Sequence, residues 1–250
     1  MMQRRVVIIG GCALLGAAAL GYALERPGGY GVTIDYRQLI GPPPVPGSAQ
    51  AVAERAGIVA AAAGIGGPRW QQASRQVHPS GPEVEAEIDC AAGVQASLAP
   101  VTSRMIGNAV ADLSRAVEAP KKAFHRDRPY VGQADTRTCD PRTLGSLGGS
   151  TGGVLSYSYP SGHAAQGRLV ADILGAAIPD RAAALAAWGD RLGDNRVICR
   201  VHWPSDVVAG RKLGDAMFTA LRANPAFRAD MAIARGELAK APVATGCASR

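Results

Sequence analysis

The sequence is poor in aromatic residues and poor in charge: 5% of its 250 residues are Phe, Trp or Tyr, and 19% are charged. A β-sandwich draws on aromatic and β-branched residues, so this composition, with its frequent alanine, points to packed helices. Neither a Cys-x2-Cys nor a His-x3-His spacing occurs, which argues against a zinc site. No Lys/Arg-rich run is interleaved with aromatics. The net charge of +7 therefore reads as a preference for anionic ligands, with no nucleic-acid partner. Beyond the N-terminus no segment reaches about 18 unbroken apolar residues, so no stable membrane insertion is predicted.

What is present begins with an export pattern. Arg4 and Arg5 precede an apolar run from Val6 to Leu20, and Gly21-Tyr22-Ala23 is a small-x-small cleavage site. Residues 1–23 read as a signal peptide and the protein as periplasmic or secreted. Lipid attachment at Cys12 is the alternative, although the apolar stretch ahead of it is short. Residues 24–48, rich in Pro and Gly and including Pro42-Pro43-Pro44, read as an extended arm lying on the body. Residues 49–250 read as one helical domain. Four cysteines remain after the signal: Cys90, Cys139, Cys199 and Cys247. An even count in an exported chain suggests one or two disulfides, and three pairings are possible.

Helical character is predicted from Ala49 to Ala63, with a break from Gly64 to Pro68 and a polar loop from Gln71 to Pro82. A helix is predicted from Glu83 to about Leu98. Ile106, Val110, Leu113 and Val117 form one apolar stripe on the next helix, with Pro120 near its end or kinking it. Tyr130 to Tyr159, rich in Gly, Ser and Thr, reads as a long functional loop. From Gly162 two rows run side by side: Leu169, Ile173 and Ala176, then Val170, Leu174 and Ala177. Pro179 stops that helix, and Asp180 is predicted to cap another to Leu192. A helix follows Pro204, and Asn224-Pro225 opens a last one to about Lys240.

Three clusters carry chemistry. In the first, Lys121 offers a movable point charge and Arg128, after six intervening residues, a fixed fork matching two phosphate oxygens. The second is Pro160-Ser161-Gly162-His163, directly before a helix. Free N–H groups and the positive end of a helix dipole make that an anion site. Gly162 allows close backbone approach, Ser161 adds a donor, and His163 is placed to protonate a leaving oxygen. In the third, Arg196 is a further clamp and His202 a nucleophile. Asp206, four residues on and in the first turn of a helix, fixes the imidazole tautomer. Each cluster alone also fits an ordinary cap or a solvated surface; together they are far more specific.

Lys121-x6-Arg128-Pro129, Pro160-Ser161-Gly162-His163 and Arg196-x5-His202-x3-Asp206 resemble the three-part signature of the type 2 phosphatidic acid phosphatase (PAP2) superfamily, which includes vanadium haloperoxidases. The detail is most similar to the bacterial class A non-specific acid phosphatases. Pro42-Pro43-Pro44, Val197-Ile198-Cys199, His202-Trp203 and Asn224-Pro225-Ala226-Phe227 add to the likeness, which spans about residues 37–240. Asn195 stands where the family usually has Ser. Asn can still donate to a phosphate oxygen. Arg200 and Pro204 also depart from the pattern and are expected to alter the pocket rim. Trp70, Trp188 and Trp203 read as packing residues, Trp203 being the one that could touch substrate, and His125 is expected at the rim or surface.

The resemblance implies an all-α, single-domain helical bundle and an acid phosphatase of broad specificity acting on small phosphorylated substrates. His202 forms a phosphohistidine, Asp206 orients it, and His163 serves the leaving alcohol and then water. Lys121, Arg128, Ser161, Gly162 and Arg196 hold the phosphate. No metal and no cofactor is implied, phosphate or vanadate binding only as the anion, and a homo-oligomer, a dimer, is expected. The alternatives are a vanadate-dependent haloperoxidase, a lipid phosphatase, which the lack of membrane helices disfavours, and a non-catalytic phosphate-binding module.

Overall fold

A computed structural model of the chain describes residues 28–140 and 157–247. The predicted signal peptide, Cys12 and residues 141–156 of the predicted loop lie outside the described residues. Nine α-helices form among the described residues: α1 (Tyr36–Leu39), α2 (Ala49–Ala61), α3 (Pro68–Arg75), α4 (Pro82–Ala92), α5 (Pro100–Phe124), α6 (Gly162–Ala177), α7 (Ala182–Ile198), α8 (Pro204–Leu221) and α9 (Pro225–Leu238). The extended pairing among them is limited to an isolated bridge between Val94 and Val243, so the fold is all-α.

Five of these helices open on proline: Pro68, Pro82, Pro100, Pro204 and Pro225. A first-turn amide has no intrahelical acceptor, so proline loses nothing there. Ser48, Ser161 and Asn224 cap their helices with side-chain oxygens.

The boundaries differ from expectation in four places. Gln71–Arg75, predicted as loop, belongs to α3. The Gln71 amide reaches back to the Gly66 carbonyl at 3.0 Å, and Ala73 is fully buried. α4 stops at Ala92, because Gly93 takes a left-handed φ of 76° and caps the Asp89 carbonyl. Asp180 does not cap α7; it lies in a short 3₁₀ turn, and the cap position falls to Arg181 with no side-chain bond. α7 then runs to Ile198 rather than Leu192, carrying Arg196 in its last turn. Pro120 lies near the end of α5, as expected, and the helix continues to Phe124.

α6 is the central helix, packed mainly between α7 and α8. Its two predicted rows enter two different cores. Leu169 and Ile173 join Met105, Leu113 and Val117 of α5 with Leu213 and Met217 of α8 and Phe227 of α9. Val170 and Leu174 join Val84 of α4 with Leu185, Trp188 and Leu192 of α7. Glycines allow this closeness. A Cβ on Gly189 would lie 2.6 Å from the Gly167 carbonyl, and one on Gly210 would lie 2.3 Å from the Ser161 carbonyl.

The segment from Gly28 onward is tied down at several points. The buried Asp112 carboxylate accepts from Tyr30 N–H at 2.9 Å and Val32 N–H at 3.2 Å, and the Tyr159 hydroxyl donates to the Gly41 carbonyl at 2.7 Å. Disulfides join Cys90 to Cys247 and Cys139 to Cys199. The first ties the C-terminal segment to α4, and the second ties the loop after α5 to the end of α7.

Candidate active site

Where the first turn of α6, the last turn of α5 and the end of α7 meet, they enclose a cavity of about 220 Å³. Lys121, Arg128, Asp140, Gly162, His163, Arg196 and His202 line its charged side. Pro79, Val110, Leu113 and Val117 line an apolar side. All three predicted clusters therefore contribute to one space.

Each cation arrives on a different support. Lys121 lies on α5 just past Pro120, buried, with its ammonium donating to the Tyr157 carbonyl at 2.7 Å. Burial, followed by the nearby Arg128 charge, brings its pKa down to about 7. Arg128 is also buried. It donates to the Val201 carbonyl at 2.7 Å, and the same nitrogen stands 3.4 Å from His202 Nε2. Arg196 sits 2.8 Å from the Asp140 carboxylate in an ion pair from which both side chains nearly exclude water. The Cys139–Cys199 disulfide holds Asp140 beside the helix that carries Arg196.

His202 is held from one side by a carboxylate. Its Nδ1 lies 3.3 Å from Asp206 Oδ2, which also accepts from the Trp203 N–H at 2.8 Å. The other oxygen, Oδ1, accepts from Arg126 at 2.6 Å. Both oxygens act as acceptors, the pattern of an ionised carboxylate. Burial pushes the Asp206 carboxyl up, and Arg126 leads the groups that oppose it. An accepting carboxylate assigns the proton to Nδ1 of His202 and leaves the Nε2 lone pair on the side of Arg128. Burial, then Arg128, Lys121 and Arg196, hold the ring well below the usual histidine range, hence neutral.

His163 and Gly162 occupy the first turn of α6, where backbone N–H groups are unpaired by the helix itself. The His163 Nε2 lies 3.1 Å from the Val77 carbonyl, which assigns its proton to that nitrogen when the ring is neutral. Burial, then Arg196 and His202, push this imidazole far down as well. An arriving dianion would reverse the sign of the local charge and raise both rings and Lys121 together.

Several expectations at the site change. Ser161 is fully buried and does not line the cavity; its hydroxyl caps α6 by accepting from Ala164 N–H at 3.4 Å. Asn195 is buried and does not line the cavity. Its amide donates to Gln76 at 2.7 Å and its oxygen accepts from Arg69 at 3.0 Å, which ties α7 to α3. Arg200 is buried away from the rim, where it binds the Asp135 carboxylate at 2.9 Å and the carbonyls of Asp135 and Arg137. Pro204 starts α8 and does not line the cavity. Two readings hold: Trp203 is buried in packing, its indole donating to the Asp127 carbonyl at 2.8 Å, and His125 is exposed, both bordering a different groove beside the proline-rich segment.

Three polar residues at or behind the site went unrecognised in the sequence: Asp140, Arg126 and Glu54. The proximity of Asp140 to the disulfide cysteine and of Arg126 to Arg128 was the available signal. Glu54, on α2, had none.

The profile of the PAP2 superfamily matches residues 98–228, which includes every cavity-lining residue but Pro79. The chain is 36% identical over 176 residues to the non-specific acid phosphatase of Salmonella typhimurium, covering 69% of this chain and 68% of that one. It is 34% identical over 178 residues to the acid phosphatase of Zymomonas mobilis, covering 70% and 65%. Over 145 residues it is 33% identical to the non-specific acid phosphatase of Providencia stuartii, covering 57% and 55%. A profile match over more than half the chain, together with a relative 36% identical across 68% of its length, makes this chain a member of the PAP2 superfamily.

Proposed function

We propose that this chain is an acid phosphatase that hydrolyses phosphate monoesters through a phosphohistidine on His202. One observation carries the reading: His202, His163, Lys121, Arg128, Arg196 and the first turn of α6 line a single small cavity. The relatives named acid phosphatases supply the same direction independently.

His202 Nε2 attacks phosphorus as the phosphorus–alkoxide bond breaks, and protonated His163 gives its proton to the departing oxygen. Water then attacks phosphorus, His163 takes the water proton, and the phosphorus–Nε2 bond breaks to release phosphate. Asp206 balances the positive charge that His202 acquires in the intermediate. Lys121, Arg128, Arg196 and the Gly162 N–H stabilise the equatorial oxygens, the part played by metal ions in other phosphoryl transfers. No metal or organic cofactor is therefore proposed. Recognition centres on the phosphate, so specificity for the alcohol is broad. The two disulfides favour an oxidising compartment, periplasmic or extracellular, as the site of action.

The test is His202→Ala assayed with p-nitrophenyl phosphate and with inorganic phosphate. Turnover is expected to disappear while phosphate binding persists. Retained turnover would overturn the mechanism, and bromide oxidation with vanadate and peroxide, in place of hydrolysis, would assign the haloperoxidase chemistry instead. The native enzyme should show a bell-shaped pH profile on the acid side of neutrality, and a flat one from pH 4 to 9 would count against the pairing of His202 with His163.

A further inference from the structure

Behind the nucleophile lies a buried charge relay that the three motifs do not contain. The Arg126 guanidinium spans two carboxylates. One nitrogen donates to Asp206 Oδ1 at 2.6 Å and to the Ser205 hydroxyl at 2.7 Å; the other donates to Glu54 Oε2 at 2.8 Å. The second Glu54 oxygen accepts from the Ser205 N–H at 2.8 Å, in the first turn of α8. The side chains are enclosed, with 12% exposure at Arg126, 7% at Glu54 and none at Asp206. The Arg126 guanidinium also lies over the Trp203 ring, 5.1 Å from its centroid. Four elements thus meet at this guanidinium: α2, the segment after α5, the turn before α8, and α8 itself.

We infer that Arg126 is a positioning residue for His202, acting through Asp206, and that Glu54 limits how much of its charge Asp206 receives. The geometry gives each partner a distinct part. Arg126 occupies the outer oxygen of Asp206, which leaves the inner oxygen facing His202 Nδ1 and the Trp203 N–H. A carboxylate bound to a whole guanidinium charge is a poorer partner for an imidazolium. Glu54 competes for that charge and so keeps Asp206 an effective acceptor when His202 carries phosphate. Other charged and titratable groups around this pair are Arg55 on α2, which also lies over the Trp203 ring, Lys121 on α5, Arg128 after it, Tyr159 before α6, His163 on α6, Arg196 on α7 and Asp140 beside Arg196. None of them contacts the outer oxygen of Asp206 among the described bonds.

This inference rests on the phosphatase reading, and its test separates the two. Arg126→Gln, Arg126→Lys and Glu54→Gln are compared with the native protein in kcat, KM and pH profile using p-nitrophenyl phosphate. Arg126→Gln removes a positive charge, so the His202–Asp206 pair takes a proton more readily and the acid limb of kcat moves to higher pH. Glu54→Gln removes a negative charge, so the limb moves to lower pH. Shifts of about one unit are expected for the first and less for the second. For Arg126→Gln, kcat falls by about 10- to 100-fold with KM within about threefold, because the damage is to nucleophile placement. Arg126→Lys keeps the charge, and it should restore the limb and part of kcat. A structural brace alone would not produce limb shifts of opposite sign. Limbs that stay in place, or move the same way, overturn the inference, as does a KM rise with kcat preserved. If Arg126→Gln fails to fold, an unmoved limb in Glu54→Gln overturns it alone. Absence of turnover in the native protein overturns the phosphatase reading instead.

Discussion

Gly210→Ala tests the contact that sets the two histidines of the cavity, His163 and His202, beside each other. Gly210 lies on α8, against the first turn of α6. A Cβ there would stand 2.3 Å from the Ser161 carbonyl oxygen, 3.1 Å from Ala164 Cβ and 3.2 Å from Ala165 N. The nearest atom is backbone and accepts the Ala165 N–H that starts α6, so it has no rotamer by which to escape. A carbon–oxygen contact is comfortable at about 3.4 Å, so the helices must part by about 1 Å. The Ser161 N–H to Asp206 carbonyl bond, 2.9 Å long, spans the same seam and would stretch with it. Overpacking of this kind costs about 1–3 kcal/mol. Alanine recovers about 0.8–1.0 kcal/mol of that through helix propensity. The net loss of stability is thus small, about 0–2 kcal/mol. Activity should suffer more, because His163 belongs to α6 and His202 is fixed to α8 through Asp206. A displacement of about 1 Å is expected to lower kcat about 100-fold. The assay is steady-state hydrolysis of p-nitrophenyl phosphate alongside urea denaturation. Gly236→Ala, on exposed α9 with open space around the new Cβ, is the control and should leave kcat unchanged. A Gly210→Ala enzyme with kcat within twofold of native would refute the claim that this seam sets the geometry.

Two further outcomes follow from the site. Burial and the nearby Arg128 charge lower the Lys121 pKa to about 7, and a bound phosphate would favour its charged form. Phosphate binding should therefore take up protons at pH 8 and weaken as pH rises through 7, read by calorimetry in buffers of different ionisation enthalpy; proton-neutral binding at pH 8 would contradict this. Replacing both Cys139 and Cys199 by Ser opens a link between residues 60 apart in sequence. That costs about 4 kcal/mol on the chain-entropy estimate. It also frees the loop that holds Asp140 against Arg196, so thermal stability and kcat should both drop, whereas an unaltered kcat would show that the disulfide does not hold the site.

Local rules account for most of the helices. Proline at a first turn and Ser or Asn before it mark helix starts through groups that touch only neighbouring residues. Pro68 obeys the rule at α3, but the polar sequence after it concealed a helix that buries Ala73. The rule failed at Asp180, where a good capping residue fell one position short of the helix. Lys121, Arg128, Gly162, His163, Arg196 and His202, each picked out by its spacing, line one cavity, with Asp206 directly behind His202 and Ser161 capping α6 beside them. Asn195 and Arg200 were misread for a different reason: each belongs to a contact made by a distant segment.

By itself, then, the sequence determined a helical chain carrying an anion-binding helix start, a His–Asp pair four residues apart and the cations to accompany them. These are properties of neighbouring residues, and periodicity and caps report them directly. Only the tertiary structure decided that the three clusters share one cavity, that Cys139 pairs with Cys199, and that Glu54 and Arg126 stand behind Asp206. Those facts depend on which helix faces pack together, and that is set by close-fitting cores and glycine seams between segments far apart in the chain.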